Sequence, residues 1–151
     1  MMCYDSSKQK PLTMKNYKHS DLTRRIIRAA MNVHNYLGYG FAESVYENAL
    51  MIELEEMGLN AKQQCPIQVF YKTRKVGDFV ADIIVNDLVI VELKAVSELH
   101  KKHEVQVVNY LRATPIEVGL LLNFSNEDLD FKRKAFSNSR KVNQNRIPPQ
   151  S

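Results

Sequence analysis

The sequence has few cysteines and no long apolar run. Its two cysteines, Cys3 and Cys65, are too few for a disulfide framework or a zinc cluster. No apolar run reaches the ~18 residues that a membrane-spanning helix requires, and the N-terminal stretch is polar, without a secretory apolar region. A P-loop and a dinucleotide-binding glycine fingerprint are also missing. We therefore expect a cytoplasmic protein that does not insert into a membrane.

Composition and charge indicate one globular domain with an acidic body and basic ends. Of the 151 residues, 44% are apolar and 25% are charged, which is typical of a folded protein. The net charge of +4 is unevenly distributed: residues 1–20 carry +3, residues 132–151 carry +6 and residues 21–131 carry −5. Basic ends of this kind either bind a nucleic-acid backbone or are simply solvated, and both alternatives stay open.

The spacing of the apolar residues predicts an α/β domain with a mixed central sheet flanked by helices. Helical periodicity changes to strand alternation after Gly58, a residue typical of a helix C-terminus. The predicted helices span residues 21–37, 42–57 and 100–113, and the predicted strands span residues 67–71, 76–85, 89–94 and 118–124.

The domain organisation follows from where the polar stretches lie. We expect the folded domain to cover residues 20–135, with Ser20 as the cap of its first helix. Residues 1–19 are predicted to form a flexible basic arm. The chain is polar and basic from Lys132 onward, so we expect no regular structure there, and residues 136–151 are predicted to form a disordered basic tail.

Two neighbouring predicted strands carry acidic side chains where a sheet core should be apolar. Asp82 lies in one strand, and Glu92 and Lys94 lie in the next, two residues apart and therefore on one face. Burying an unpaired carboxylate is costly, so a positive charge should lie between the two acids. An ion pair with Lys94 would balance one of them. A divalent cation would balance both, and an oxygen-only ligand set favours Mg²⁺ or Mn²⁺ over zinc.

The length of the loop between these strands decides whether the two carboxylates meet. A two-residue turn at Asn86-Asp87 would place Asp82 opposite Val91 and turn its side chain away from Glu92. A three-residue loop, or a bulge, would place Asp82 opposite Glu92. A metal site therefore requires the longer loop or the bulge.

Four residues on the predicted helices are candidates to complete such a site. Glu43 and Tyr46 lie three residues apart on the second helix, and Gln106 and Tyr110 lie one turn apart on the third. Each pair also has an ordinary explanation. A carboxylate is favoured at a helix N-terminus, and a half-buried tyrosine is common on an amphipathic helix.

A series of short motifs runs through residues 21–135. In chain order they are Gly40-Phe41-Ala42-Glu43-Ser44-Val45-Tyr46, Gln64, Val69-Phe70-Tyr71, Gly77 with Asp82, Val91-Glu92-Leu93-Lys94-Ala95-Val96, Gln106 with Asn109-Tyr110-Leu111, and Gly119-Leu120-Leu121-Leu122-Asn123-Phe124. Together they resemble the GxxExxY protein family, which is assigned to the PD-(D/E)XK nuclease superfamily. The resemblance implies a restriction-endonuclease-like αβββαβ core, and the predicted elements from the second helix onward follow that order.

The resemblance also implies a role for each candidate residue. Asp82 and Glu92 would be catalytic metal ligands, Lys94 would be the catalytic lysine, and Glu43 would be a supporting ligand. Gln106 and Tyr110 look like the QxxxY motif of RecB-like and Cas4-like nucleases, which lies beside the metal and helps to place DNA, and Tyr46 would support the same site. The motif's usual proline before the first acid is replaced by Ala81.

Two functions are compatible with this pattern. The first is a Mg²⁺-dependent nuclease (or a Mn²⁺-dependent one) that hydrolyses phosphodiester bonds of nucleic acid, with DNA as the favoured substrate. Its Lys94 would orient the attacking water or stabilise developing negative charge. The second is a catalytically weak or inactive module of the same fold that binds nucleic acid or a protein partner. Apolar edge positions on a small sheet also leave a homodimer open.

Overall fold

The computed structural model describes residues 17–141. The predicted N-terminal arm up to residue 16, and the predicted tail from residue 142, lie outside the described residues. The elements are α1 (Ser20–Leu37), α2 (Glu43–Glu56), β1 (Ala61–Tyr71), β2 (Arg74–Val85), β3 (Val89–Lys94), α3 (Lys101–Arg112), β4 (Val118–Asn123), β5 (Asp130–Ala135) and a short 3₁₀ helix (Asn138–Arg140).

The five strands form one mixed sheet in the order β1-β2-β3-β4-β5. Strands β3 and β4 are parallel, and the other neighbouring pairs are antiparallel. The strands β3 and β4 are almost entirely buried, as expected for strands covered on both faces. The predicted α/β class with a mixed sheet flanked by helices is confirmed, and the order from α2 to β4 is αβββαβ.

Apolar side chains on the two faces of the sheet form two cores. On one face, residues of α1 and α2 such as Ile26 and Leu50 pack against Ile83, Val91 and Leu120. On the other face, α3 packs against the sheet through a second cluster, whose buried members are Ile67, Ala81, Ile90, Tyr110, Leu111 and Phe136. No helix within residues 17–141 combines the length and the apolar character needed to cross a membrane.

Strand β2 changes faces at Asp82. Ala81 packs in the cluster under α3, whereas Ile83 packs in the cluster under α1 and α2. Residues two apart share a face in a regular strand, so the strand must twist between them. Gln64, which lies opposite Asp82 in β1, has a φ of 54°, in the left-handed region that side chains other than glycine seldom adopt. The irregularity therefore lies at a candidate site residue.

Two predicted boundaries differ from the structure near the N-terminal side of the fold. His19, rather than Ser20, occupies the N-cap position of α1, and Ser20 instead accepts a hydrogen bond from the Thr23 hydroxyl at 3.1 Å. Strand β1 begins at Ala61, six residues before the predicted start. The added stretch is polar and mostly exposed, so it lacks the apolar alternation that identifies a strand.

The largest difference is a fifth strand in the region predicted to have no regular structure. Residues 130–135 pair with β4 along its whole length, and Lys134 forms an ion pair of 2.6 Å with Glu104 of α3. Beyond the predicted domain end, Phe136 is buried, and Lys141 donates hydrogen bonds to the carbonyls of Thr114 and Ile116 at 2.6 and 2.8 Å. An edge strand is held by backbone pairing on one side, so its side chains can be polar and basic.

Replacing Phe136 by alanine tests whether this segment belongs to the fold. The ring is 8% exposed and contacts the guanidinium groups of Arg112 and Arg140 at 4.8 and 4.6 Å. We expect Phe136→Ala to lower the free energy of unfolding in urea by ~3 kcal/mol, because a buried ring is lost and a cavity remains. The control Phe131→Ala removes a ring that is 40% exposed on β5 and should cost much less. Equal small losses would contradict the packing of Phe136.

Candidate functional site

The loop between β2 and β3 has the length that a metal site requires. Val85 pairs with Val89, so residues 86–88 form a three-residue loop, as predicted for a metal site. Its first two residues, an asparagine and an aspartate, have φ values of 53° and 56°, which these two residue types tolerate better than most. Continuing this register places Asp82 opposite Glu92. The two carboxylates therefore meet.

The side-chain carboxylates of Asp82 and Glu92 each accept a hydrogen bond from the backbone of the other residue's strand. The Asp82 N–H donates to Oε1 of Glu92 at 2.8 Å, and the Leu93 N–H donates to Oδ2 of Asp82 at 2.8 Å. The regular ladder between β2 and β3 ends one residue earlier, so the carboxylates replace backbone carbonyls as acceptors. Within residues 17–141, Oδ1 of Asp82 and Oε2 of Glu92 accept no hydrogen bond. One oxygen of each acid is therefore free for a ligand.

Burial and mutual repulsion hold both acids in an electrostatically costly state. Glu92 is 3% exposed, and its burial, followed by the negative charge of Asp82, raises its pKa from 4.5 to about 8. The pKa of Asp82 is also raised, first by burial and then by the charges of Glu47 and Glu43. The hydrogen bond from Leu93 and the charge of Lys94 act in the opposite direction. A cation between the acids would remove this cost.

Lys94 lies at the end of β3, where the next strand fixes the backbone. Its carbonyl accepts a hydrogen bond from the Phe124 N–H at 3.0 Å. The buried side chain of Asn123 holds Val96 by bonds of 3.1 and 2.8 Å to its backbone N–H and carbonyl. The charge of Lys94 lowers the pKa of Asp82 and of Glu92, so its ammonium lies near both. It forms none of the ion pairs in the part of the chain described, which disfavours a plain structural ion pair.

Helix α2 brings two further carboxylates to the site, of which only Glu43 was predicted from the sequence. Oε2 of Glu43 accepts the Ala95 N–H at 3.3 Å. One turn later, Glu47 is 8% exposed and accepts the side-chain amides of Gln63 and Gln64 at 2.7 and 2.8 Å. Both charges raise the pKa of Asp82.

Glu47 lies on the same helical stripe as the buried Leu50 and Leu54, and an acid at such a position was the signal that could have identified it.

Helix α3 places the other candidate pair beside the same acids. Tyr110 is 5% exposed. Burial first, and then the charges of Glu92 and Asp82, raise the pKa of Tyr110. The side chain of Gln106 lies close enough to the Tyr110 hydroxyl to act on its pKa in the opposite direction. The structure therefore brings Gln106 and Tyr110 together with the carboxylate pair.

Tyr46 has a different environment. Its ring is fully buried and stacks on Phe124 with a centroid distance of 4.7 Å. Its hydroxyl donates to the Gly38 carbonyl at 2.7 Å and accepts the Phe41 N–H at 3.2 Å. These bonds hold the turn between α1 and α2, which sets the start of α2 and so the position of Glu43. Tyr46 therefore lies in the core and is bonded to the turn before α2, rather than beside the carboxylate pair.

The donor set fits a hard divalent cation. Asp82, Glu92, Glu43 and Glu47 provide only carboxylate oxygens, the ligand type that Mg²⁺ and Mn²⁺ prefer. As the side chains lie, no three His, Cys, Asp or Glu residues among those described converge into a metal-binding group. Each of the four carboxylates is held by at least one N–H donor. Binding a cation by more than two of these carboxylates would thus require side-chain rotations.

Comparison with known proteins places the fold in a family. The model of the PD-(D/E)XK nuclease superfamily matches residues 20–134. No curated protein and no solved structure matches the chain. Nucleases of this superfamily generally use divalent metal ions, and their fold implies a nucleic-acid substrate. Because the match spans well over half of the sequence, the chain belongs to the PD-(D/E)XK nuclease superfamily.

Proposed function

We propose that the protein is a Mg²⁺-dependent nuclease that hydrolyses phosphodiester bonds, with DNA as the preferred substrate and Mn²⁺ as an alternative cofactor. The observation that supports this function is the pair of the half-buried Asp82 and the buried Glu92, each with one free oxygen, next to Lys94. Two acidic groups kept together in such a position are costly to ionise and are therefore costly for stability alone. The same arrangement is favourable when a cation and a phosphate bind there.

Asp82 and Glu92 would hold the cation through their free oxygens, with Glu43 and Glu47 as supporting ligands from α2. When bound, Mg²⁺ supplies Lewis-acid chemistry, polarising a phosphate oxygen and making a water molecule more acidic. Gln63 and Gln64 keep the Glu47 carboxylate turned toward the site. The irregular backbone at Gln64 would thus serve to position Glu47.

The remaining site residues would act on the nucleic acid. Lys94 supplies a fixed positive charge that stabilises the negative charge developing on the phosphate, and its ammonium can donate to the attacking water. The amide of Gln106 and the hydroxyl of Tyr110, which lie one turn apart on α3 and interact electrostatically, would donate to phosphate oxygens. The basic residues at both ends of the sequence would add backbone contacts. The proposed location is the cytoplasm, and a homodimer stays a prediction.

A cleavage assay with matched variants tests this function. End-labelled single- and double-stranded DNA and RNA are incubated with the protein in Mg²⁺, in Mn²⁺ or in a chelator. Cleavage is expected only with metal, and it should be lost in Asp82→Asn. The control Glu56→Gln neutralises an exposed acid at the end of α2 and should cleave like the wild type. Metal-dependent cleavage that is equal in all three proteins would exclude this site, and binding without cleavage would favour the inactive module.

The affinity for Mg²⁺ is expected to increase with pH until about pH 8. Below that value Glu92 is largely protonated, and a proton must leave before the carboxylate can hold a cation. Raising the pH therefore strengthens binding, by up to ~10-fold for each pH unit. Calorimetric titration with Mg²⁺ at about pH 6 and about pH 9 measures the effect. An affinity that does not change with pH would contradict the role of Glu92.

A further inference from the structure

A groove of about 510 Å³ lies between the outer half of the β1–β2 hairpin and helix α3. Tyr110 forms part of its wall and also lies next to Glu92 and Asp82. The groove therefore opens beside the candidate site. Apart from Gln106 and Tyr110, none of its residues has a role in the proposed reaction.

The charge of the groove is opposite to that of the surrounding domain. Its lining includes Lys72, Lys102 and Arg112 and contains no acidic residue, although residues 21–131 carry a net charge of −5. Within residues 17–141, none of these three cations takes part in an ion pair. Lys72 and Arg112 do contact the rings of Tyr71 and Phe136, but three cations without a carboxylate partner in a concave surface attract an anion such as a phosphate backbone.

Aromatic side chains in the same groove are left accessible. Tyr71 is 65% exposed and Phe79 is 48% exposed. The Phe79 ring lies 6.0 Å from the ring of Tyr110, so a flat group bound at Phe79 would be close to the carboxylate pair. The side-chain amides of Gln68 and Asn109 add hydrogen-bonding groups to the lining. Aromatic faces combined with cations and amides are the features that bind unpaired nucleotides.

A single strand fits these features better than a duplex or a peptide. The bases of a duplex are stacked on one another, so their faces cannot reach Tyr71 or Phe79. An acidic peptide would satisfy the cations but would leave the aromatic faces uncovered. The volume is that of a pocket for a small ligand, and it suits one or two nucleotides rather than a helix.

We propose that this groove binds an unpaired segment of the substrate strand next to the bond that is cut, so that the enzyme acts on single-stranded nucleic acid or on single-stranded ends. The proposal rests on the proposed nuclease function, because it assumes that the strand continues from the groove to Asp82 and Glu92. The groove would hold the bases of the strand while Lys94 faces its phosphate.

Binding without metal tests the groove separately from cleavage. Fluorescence anisotropy in a chelator measures the Kd of the full chain for single-stranded DNA, single-stranded RNA, a blunt duplex and oligoglutamate. We expect a single strand to bind more tightly than the duplex and the peptide, and Phe79→Ala to weaken single-strand binding by ~10-fold. Lys102→Ala should weaken binding and reduce its salt dependence by about one released counterion.

Two further variants distinguish the loss of the aromatic face from a loss of folding. Phe79→Leu keeps an apolar side chain at the position and removes the aromatic face, so it should also bind the single strand more weakly. The control Tyr36→Ala removes a ring that is 90% exposed on α1, far along the chain from the groove, and should bind like the wild type. Thermal unfolding confirms that each variant is folded.

The outcomes separate this proposal from the proposed nuclease function. If the duplex or the peptide binds as tightly as the single strand, or if neither Phe79 variant changes single-strand binding, the groove proposal is wrong. If Phe79-dependent binding is observed but no metal-dependent cleavage occurs, the groove is a single-strand binding site, and both the nuclease function and the placement of the strand beside a cut bond fail. If cleavage occurs and both Phe79 variants bind normally, only the groove proposal fails.

Discussion

Glu92→Gln is expected to reduce Mg²⁺-dependent cleavage by ~10³-fold or more, since several kcal/mol of transition-state stabilisation depend on a held cation. Glutamine has nearly the same shape as glutamate, and its amide oxygen can still accept the Asp82 N–H. The substitution therefore changes the charge more than the packing. Loss of activity would then report on the charge itself.

The same variant is expected to be more stable than the wild type at high pH in the absence of metal. The pKa of Glu92 is raised on folding from 4.5 to about 8. The unfolded chain therefore releases this proton at a lower pH than the folded chain, and the free energy of unfolding falls as the pH rises between those two values. Glutamine does not ionise, so this fall should be absent in Glu92→Gln.

Urea denaturation at about pH 5 and about pH 9 in a chelator measures the stability effect. Between these two pH values the free energy of unfolding of the wild type should fall by on the order of several kcal/mol more than that of the variant. Adding Mg²⁺ at the higher pH should restore stability to the wild type and not to Glu92→Gln. A variant that cleaves at the wild-type rate would exclude Glu92 from the mechanism, whatever its stability.

Lys94→Met is expected to reduce cleavage by ~10²- to 10³-fold, the typical cost of removing one charged donor from a transition state. Unlike Glu92→Gln, it should leave Mg²⁺ binding intact at high pH. Its effect on Mg²⁺ binding should be a change in the pH at which the affinity rises. The charge of Lys94 lowers the pKa of both Asp82 and Glu92, so its removal moves the rise in Mg²⁺ affinity to a higher pH.

Lys94→Arg and Lys62→Met are the matched variants for this prediction. Arginine keeps the positive charge, so the pH profile of Mg²⁺ binding should stay close to that of the wild type. Lys62 is 58% exposed and forms a surface ion pair of 3.6 Å with Asp87, and its replacement should change neither cleavage nor the pH profile. Wild-type cleavage by Lys94→Met would remove the lysine from the proposed chemistry.

Much of the fold could be predicted from the sequence because it depends on local periodicity. The parallel strand β3 was predicted at its observed bounds, and β4 within one residue at its end, since both are short apolar runs with clear ends. The sequence left a two-residue turn and a three-residue loop open, and the parity between paired strands identified the three-residue loop, which the structure shows, as the one that a metal site requires. Strand β5 was missed because its stability comes from pairing with β4, which its own polar side chains do not reveal.

The candidate site was predicted in part for the same reason. Asp82, Glu92 and Lys94 interrupt apolar strands, and such an interruption is visible in the sequence. The buried stripe of α2 carried a signal for Glu47, but the groups that satisfy its carboxylate, Gln63 and Gln64, reach it across 16 or 17 residues of chain and become apparent only in the tertiary structure. The groove beside Tyr110 could not be predicted either, since it forms between the β1–β2 hairpin and α3, which are distant in the chain.

The sequence by itself therefore determined the type of each α-helix and of every strand except β5, and the acidic pair within β2 and β3, because these follow from the spacing of neighbouring residues. Tertiary structure alone decided that Glu47 joins this pair, that Tyr46 holds the turn before α2, and that cations and aromatic rings line one groove. Each of these depends on contacts between segments that are distant in the chain, where packing and electrostatics rather than local spacing set the outcome.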